Sequence, residues 1–251
     1  MSRFTRLGWA LLILAAPALA QPAQSELEAG IAHENLDKGR ADWESIYLYG
    51  SHRFAPRKVA YGGLRGTRRF DKDDAEALGG FYYPLGETWT GILEASVSPT
   101  HEILPKWTLF GQVEKQLGAG WGIHLGLRHS QFNDTGSNVG ALTLERYFGN
   151  YRAAYSAYLG MPEGGGSAVT HRVAFNRYYG DRNSVGISYV TGKEVENVNS
   201  IGVVTTDVES VVLSGVHWFA PRWAVSFDLL VHEQGDLYTR QGVRLGLRHL
   251  F

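Results

Sequence analysis

The stretch Val243-Arg244-Leu245-Gly246-Leu247-Arg248-His249-Leu250-Phe251 alternates apolar and polar positions. Val243, Leu245, Leu247 and Phe251 fall on one face, and Arg244 and Arg248 on the other. A period of two over this length is a β-strand with two chemically different faces. An Arg every fourth residue beside a row of Leu and Val separates an apolar environment from a charged one. Neither face resembles a loop, and the run has no helical period.

Working back along the chain, the same pattern recurs in segments of about 10 residues. Trp121, Ile123, Leu125 and Leu127 oppose Gly122, His124, Gly126 and Arg128. Trp223, Val225, Phe227, Leu229 and Val231 alternate with Ser226, Asp228 and His232. Short, turn-like connections lie at 54–57, 84–87, 118–120, 149–150, 180–183 and 220–222, where Gly, Asn and Pro supply the turn dihedrals. Longer polar connections are expected at 34–42, 68–75, 99–106, 131–138, 161–168, 193–206 and 233–240. The two kinds alternate strictly, so they divide the segments between two rims.

This asymmetry, with both chain ends on the short-turn rim, is that of an all-β, transmembrane up-and-down antiparallel β-barrel. The expected barrel has 14 strands, with short periplasmic turns and longer extracellular loops. The segment 24–34 is the weakest, because Glu26, Glu28 and Glu34 crowd it; without its hairpin the count would be 12. About 16 residues per strand and connection suits membrane-spanning strands. The final strand also resembles the closing strand of bacterial outer-membrane barrels. That resemblance implies that Phe251 is a C-terminal signal for the barrel assembly machinery, and that the location is the bacterial outer membrane.

The amino terminus agrees with export. Arg3 and Arg6 precede the apolar core Leu7 to Ala16, and Ala18-Leu19-Ala20 is an A-x-A site. Residues 1–20 read as a signal peptide cleaved after Ala20, and 21–251 as the barrel domain. Later segments lack the roughly 20 continuous apolar residues of a spanning helix, and alternating strands give a weak hydropathy signal. Gly is abundant at 31 residues, aromatics reach 12% and Cys is absent. Without Cys there is no disulfide scaffold and no thiolate metal site. A net charge of −1 gives no reason to expect nucleic acid as a partner.

Tryptophans mark segment ends. Trp89, Trp121, Trp218 and Trp223 flank short turns, and Trp43 and Trp107 follow long connections. All six are expected in an aromatic girdle at the lipid–water interfaces. A soluble sandwich would place such rings mid-strand.

Three stretches carry a family resemblance. They are Gly140-Ala141-Leu142-Thr143-Leu144-Glu145-Arg146-Tyr147-Phe148-Gly149-Asn150-Tyr151-Arg152, Tyr178-Tyr179-Gly180-Asp181-Arg182-Asn183-Ser184 followed by Gly192-Lys193-Glu194-Val195-Glu196, and Gln234-Gly235-Asp236-Leu237-Tyr238-Thr239-Arg240. Together they resemble the YaiO-type outer-membrane β-barrel family. The resemblance implies an outer-membrane barrel without an established activity. Some members carry tetratricopeptide repeats before the barrel, and some are encoded near surface-polysaccharide genes. Components of polysaccharide export are therefore candidate partners, beside outer-membrane lipid and lipopolysaccharide. The few residues between Ala20 and the first strand leave no room for helical repeats, which argues against a periplasmic scaffold.

Candidate functional residues lie on the polar face. With Phe251 towards lipid, the expected lumen network is Glu94, Glu114, Arg128, Glu145, Arg152, Arg172, Asp228, Arg244 and Arg248, with Gln112, His124 and Asn176 among them. Such a network either closes the lumen through mutual ion pairs or forms a charged constriction that selects solutes. About 8 strands leave a filled interior and 16–18 an aqueous channel, so 14 strands leave both readings open. The first reading makes the chain a structural outer-membrane protein. The second makes it transport-associated, as a small-solute channel or an accessory of surface-polysaccharide export.

Hydrolase chemistry has weak support. His129 and Ser130 are adjacent and so point to opposite faces of a strand. His232-Glu233, and His171 with Ser167, fit no better, so the expectation is no enzyme and no catalytic residue. The Asp71-Lys72-Asp73-Asp74 run begins like a calcium loop, but Glu76 stands where Gly is needed. It reads as solvated, with no metal site and no cofactor expected. The 193–206 connection is the longest. It reads as a surface loop, with an inward plug or a partner-binding loop as alternatives.

Overall fold

A computed structural model of the chain describes residues 24–198 and 202–251, with side chains described outside 195–204. The segment 1–20 lies outside the described residues, as does Asn199 within the 193–206 connection. The strands are β1 (Gln24–Leu36), β2 (Trp43–Ala55), β3 (Lys58–Arg69), β4 (Lys72–Pro84), β5 (Trp89–Val97), β6 (Trp107–Gly118) and β7 (Trp121–Gln131). They continue as β8 (Gly136–Phe148), β9 (Tyr151–Pro162), β10 (Ala168–Tyr179), β11 (Asn183–Val198), β12 (Gly202–Ala220), β13 (Trp223–Gln234) and β14 (Tyr238–Leu250).

Each strand pairs antiparallel with its sequence neighbours, and β1 pairs with β14 to close a 14-strand barrel. Closure removes the free edges that an open sheet would expose. The crowded first segment is therefore a full strand. It pairs with β14 from Glu26↔Leu250 to Leu36↔Arg240, and Phe251 N–H donates to Ser25 O at the end of the seam.

Through the middle of the strands the outward phase is mainly apolar and the inward phase mainly polar. Outward Leu27, Ile31, Ile46, Leu64, Leu125 and Leu245 are exposed, while inward Glu28, Glu76, Asp228 and Ser226 are buried. In a water-soluble protein this distribution would be inverted. It is the pattern of a barrel whose outer solvent is lipid.

The short turns occupy 56–57, 85–88, 119–120, 149–150, 180–182 and 221–222. Except for the one at 98–106, the connections on the opposite rim are shorter than their polarity suggested. The 68–75 segment is a two-residue hairpin turn at Phe70 and Asp71, with φ of 50° and 59°. Such angles are those of the type I′ turns that suit the twist of paired strands. They disfavour a bulky residue such as Phe70, whose ring is held edge-on against Trp43 with centroids 5.4 Å apart. The expected loops 131–138 and 161–168 shrink to 132–135 and 163–167, and Ser137 belongs to β8. Most of 193–206 continues β11 and β12, which stay in register out to Val198↔Gly202. Polar residues signalled loops there, but the same residues form strand pairs above the apolar band.

The connection 98–106 folds inward over the rim. Leu104 is 1% exposed, and Ile103 is buried beside it. Asp74, inward on β4, accepts the backbone N–H groups of Glu102 (2.9 Å), Ile103 (2.6 Å) and Leu104 (2.7 Å). One carboxylate thus satisfies three consecutive amides and pins the connection to the wall.

Candidate functional site

The inward side chains of Glu94, Glu114, Arg128, Glu145, Arg152, Arg172, Asp228, Arg244 and Arg248 alternate in phase with the outward apolar residues. Near the short-turn rim, Arg248 donates to Glu28 through Nε (2.8 Å) and Nη2 (2.6 Å), and reaches Glu26 at 3.4 Å. Tyr47 Oη (2.9 Å) and Ser226 Oγ (2.8 Å) donate to the second oxygen of Glu28. Four strands therefore meet on one carboxylate across the seam. Arg244 pairs with Asp228 and lies 5.5 Å from the Tyr47 ring.

Towards the loop rim, Arg240 pairs with Glu34 at 2.6 Å, and Arg65 pairs with Glu76. Arg69 and Arg240 each approach Trp43, at 4.2 and 4.8 Å from the ring. Across β5 to β9, Glu94 accepts from Tyr61 at 2.9 Å and lies 3.6 Å from Arg128. Glu145 takes Arg152 at 2.6 Å and His124 at 3.0 Å. Arg152 also donates to Asn176 at 3.2 Å, and Gln112 donates to Glu114 at 2.9 Å. Tyrosine rings lie flat on this wall because inward Gly63 and Gly80 sit beside them. A Cβ at either position would collide with Tyr49 or Tyr61.

Arg172, like Arg69, makes no ion pair among the described residues, and its buried Nε lacks a hydrogen-bond partner. Its register neighbours are Ser156 and Val190. Ala154, Ser156, Ala174, Ser188, Ser210 and Ser214 on the inward phase around it are small, and Val190 and Tyr158 are the larger inward neighbours. The charged, tyrosine-rich side of the lumen is built on β13, β14 and β1 to β8; on β9 to β12 the bulky inward residues Arg152, Asn176, Tyr178 and Trp218 gather near the short-turn rim, and beyond them, Tyr158 and Arg172 apart, the inward residues are mainly small or aliphatic.

Several partners were not recognised in the sequence. Glu26, Glu28 and Glu34, which made the first segment look unsuitable as a strand, all point inward and supply the acids for Arg248 and Arg240. Tyr47, Arg65 and Glu76 complete the wall. Phase was the available signal, since Leu27 and Ile31 alternate with those glutamates.

The tryptophans divide. Trp89, Trp107, Trp121 and Trp223 face outward at the strand ends. His129 lies against Trp107 and His249 against Trp223, with centroids 4.9 and 4.4 Å apart. Trp43 is not on the outer surface: it is 3% exposed and packs inside with Leu36 and Tyr238. Trp218 takes the inward phase of Ser214 and is covered by Arg182 at 3.9 Å, while Phe219 beside it faces out. Position at a strand end identified the rim but not the face, which depends on parity.

The hydrolase combinations do not assemble. His129 bonds Asn138 on the outer face at 2.9 Å, whereas Ser130 bonds Thr108 inside at 3.1 Å. A different pair does meet. Ser210 bonds His232 Nδ1, and His232 Nε2 lies 2.7 Å from Gln234 Oε1. All three residues are buried, Gln234 to 1% exposure, so the relay ties β12 to β13 and offers a substrate little room.

A closed barrel with an apolar exterior and a charged interior defines a bacterial outer-membrane β-barrel protein. Residues 24–197 match the family described as the YaiO membrane beta barrel domain, and the chain belongs to that family. No curated protein matches the sequence. Among solved structures it is similar to the outer membrane protein Omp33 of Acinetobacter baumannii, with a TM-score of 0.54 and 13% identity over 92% of this chain and 100% of that one. It is likewise similar to OmpF of Salmonella typhi, solved in complex with daunomycin, with a TM-score of 0.52 and 10% identity over 91% and 97%. At such identities the likeness is one of fold. The protein resides in the outer membrane, with porin-like structural neighbours, and its exterior meets lipid and lipopolysaccharide.

Proposed function

We propose that the barrel is a narrow channel for small polar solutes, with the short turns in the periplasm and the longer connections outside the cell. The observation that carries this is the one-sided lumen. Fourteen strands spaced ~4.8 Å apart and tilted ~40° form a backbone cylinder of about 14 Å radius. The long charged side chains occupy the side built on β13, β14 and β1 to β8. Beyond the short-turn rim, the mainly small and aliphatic inward residues of β9 to β12, among them Ala154, Ser156, Ala174, Ser188 and Ser210, leave space opposite the charged wall. Arg172 stands among them without a counter-charge, so the passage favours anions.

Planar-bilayer recording tests this. Discrete conductance steps are expected, with a reversal potential on the anion side that Arg172→Glu moves towards cations. A heat-modifiable barrel that passes no current would establish the closed, salt-bridged structural reading instead. Two partner classes belong to the same proposal. The barrel assembly machinery would read the outward-facing Phe251 after removal of the leader 1–20. Components of surface-polysaccharide export rest on the family resemblance.

A further inference from the structure

The outer wall of β4 to β8 is not smooth. Phe81, Leu93, Val113, Leu125 and Leu127 border an open apolar groove of about 690 Å³. That lies within the roughly 300–1,000 Å³ typical of sites for small organic ligands. Gly91, Gly111 and Gly140 contribute to its floor. Glycine in a strand interior costs stability and gives up side-chain packing. A Cβ at Gly111 or Gly140 would meet nothing within 4 Å, so packing inside the chain does not require glycine at either position. A lipid-facing wall would ordinarily carry Leu or Val there, as β13 does with Val225, Leu229 and Val231.

A basic row runs along the short-turn end of this groove. Tyr83, which lines the groove, has Lys58 Nζ 5.4 Å from its ring. Lys115, two residues beyond Val113 on the same face, lies 4.9 Å from the Trp89 ring. Arg146 lies 5.1 Å from the Trp121 ring. Three cations on three interfacial aromatics thus follow the rim from β3 to β8. The acid on the intervening turn is Glu87. Apolar groove and basic rim are continuous.

We propose that this face binds anionic glycerophospholipid, with acyl chains lying over Gly111 and Gly140 and the phosphates held along the row of Lys58, Lys115 and Arg146. The site requires only that the barrel sit in a bilayer, so a failed conductance experiment would leave it standing. The test uses the full chain in nanodiscs containing equal palmitoyl-oleoyl phosphatidylglycerol and phosphatidylethanolamine, followed by native mass spectrometry. Retention of phosphatidylglycerol over phosphatidylethanolamine is expected. Each of Lys58→Gln, Lys115→Gln and Arg146→Gln should lower that preference about fivefold. Gly111→Leu with Gly140→Leu should abolish retention and leave the barrel heat-modifiable. Equal retention of both lipids, or retention indifferent to these substitutions, would overturn the proposal. So would an oligomer dissolved by the glycine substitutions, which would assign the groove to a second copy.

Discussion

Arg244 and Asp228 illustrate what one charge does in this lumen. Asp228 is 6% exposed, and its carboxylate is held by the Arg244 guanidinium on the neighbouring strand. Removing the guanidinium leaves a desolvated acid without its cation, which costs more than the pair contributes. We expect Arg244→Leu to destabilise the barrel by about 1–3 kcal/mol, because the site is partly open to lumen water. The gel transition from folded to unfolded mobility should move to lower temperature. Adding Asp228→Asn should recover much of that shift, since the uncompensated charge is then gone. An unchanged transition in Arg244→Leu would show that the pair carries no stability. This interior position was legible from the alternation around Leu245 and Leu247. Trp43 was not, because an indole at a strand end satisfies either face and only parity from Glu44 and Ile46 decides between them.

At the scale of single elements, the short turns were readable because Gly149, Asn150, Gly180 and Pro221 bend the chain by their own dihedrals. The opposite connections, apart from 98–106, were overestimated. Polar composition marks contact with water, and strands that rise beyond the apolar band also meet water. The inward fold of 98–106 had no local signal at all, since its anchor is Asp74 on β4. Asp74→Asn should weaken that anchor by about 1–3 kcal/mol, through the loss of a charged acceptor for three amides. The readout is trypsin cleavage after Lys106 on intact cells, which follows the population of the released connection. Faster cleavage than in the parent protein is expected, and equal rates would show that Asp74 does not hold it.

For the whole molecule, closure and orientation are separate matters, and each has its own measurement. The closed sheet predicts heat-modifiable migration from the outer-membrane fraction, and recovery as a soluble periplasmic protein would contradict it. Orientation is read by cysteine labelling, which the natural absence of Cys makes clean. Ser167→Cys, on the exposed 163–167 connection, should react with an impermeant thiol reagent on intact cells. Asp181→Cys, on a short turn, should react only after the outer membrane is opened. The reverse pattern would invert the barrel. Ser137 is no reporter here, because it is buried on the inner face of β8.

The seam between β1 and β14 joins residues that are 220 positions apart at Glu28 and Arg248. Loop-closure entropy makes such a pairing late, after the intervening hairpins have formed. At that step the alternation cannot reject a slip of two residues, because every side chain keeps its face. The charges can. Glu28 stands opposite Arg248 in the native register, with Gly246 and Leu250 as the inward neighbours on either side. A slip that sets Glu28 against Leu250 leaves it beside an apolar side chain, and one that sets it against Gly246 withdraws it from Ser226. Glu28, on which four strands meet, therefore acts as a key that favours the native register of the closed cylinder.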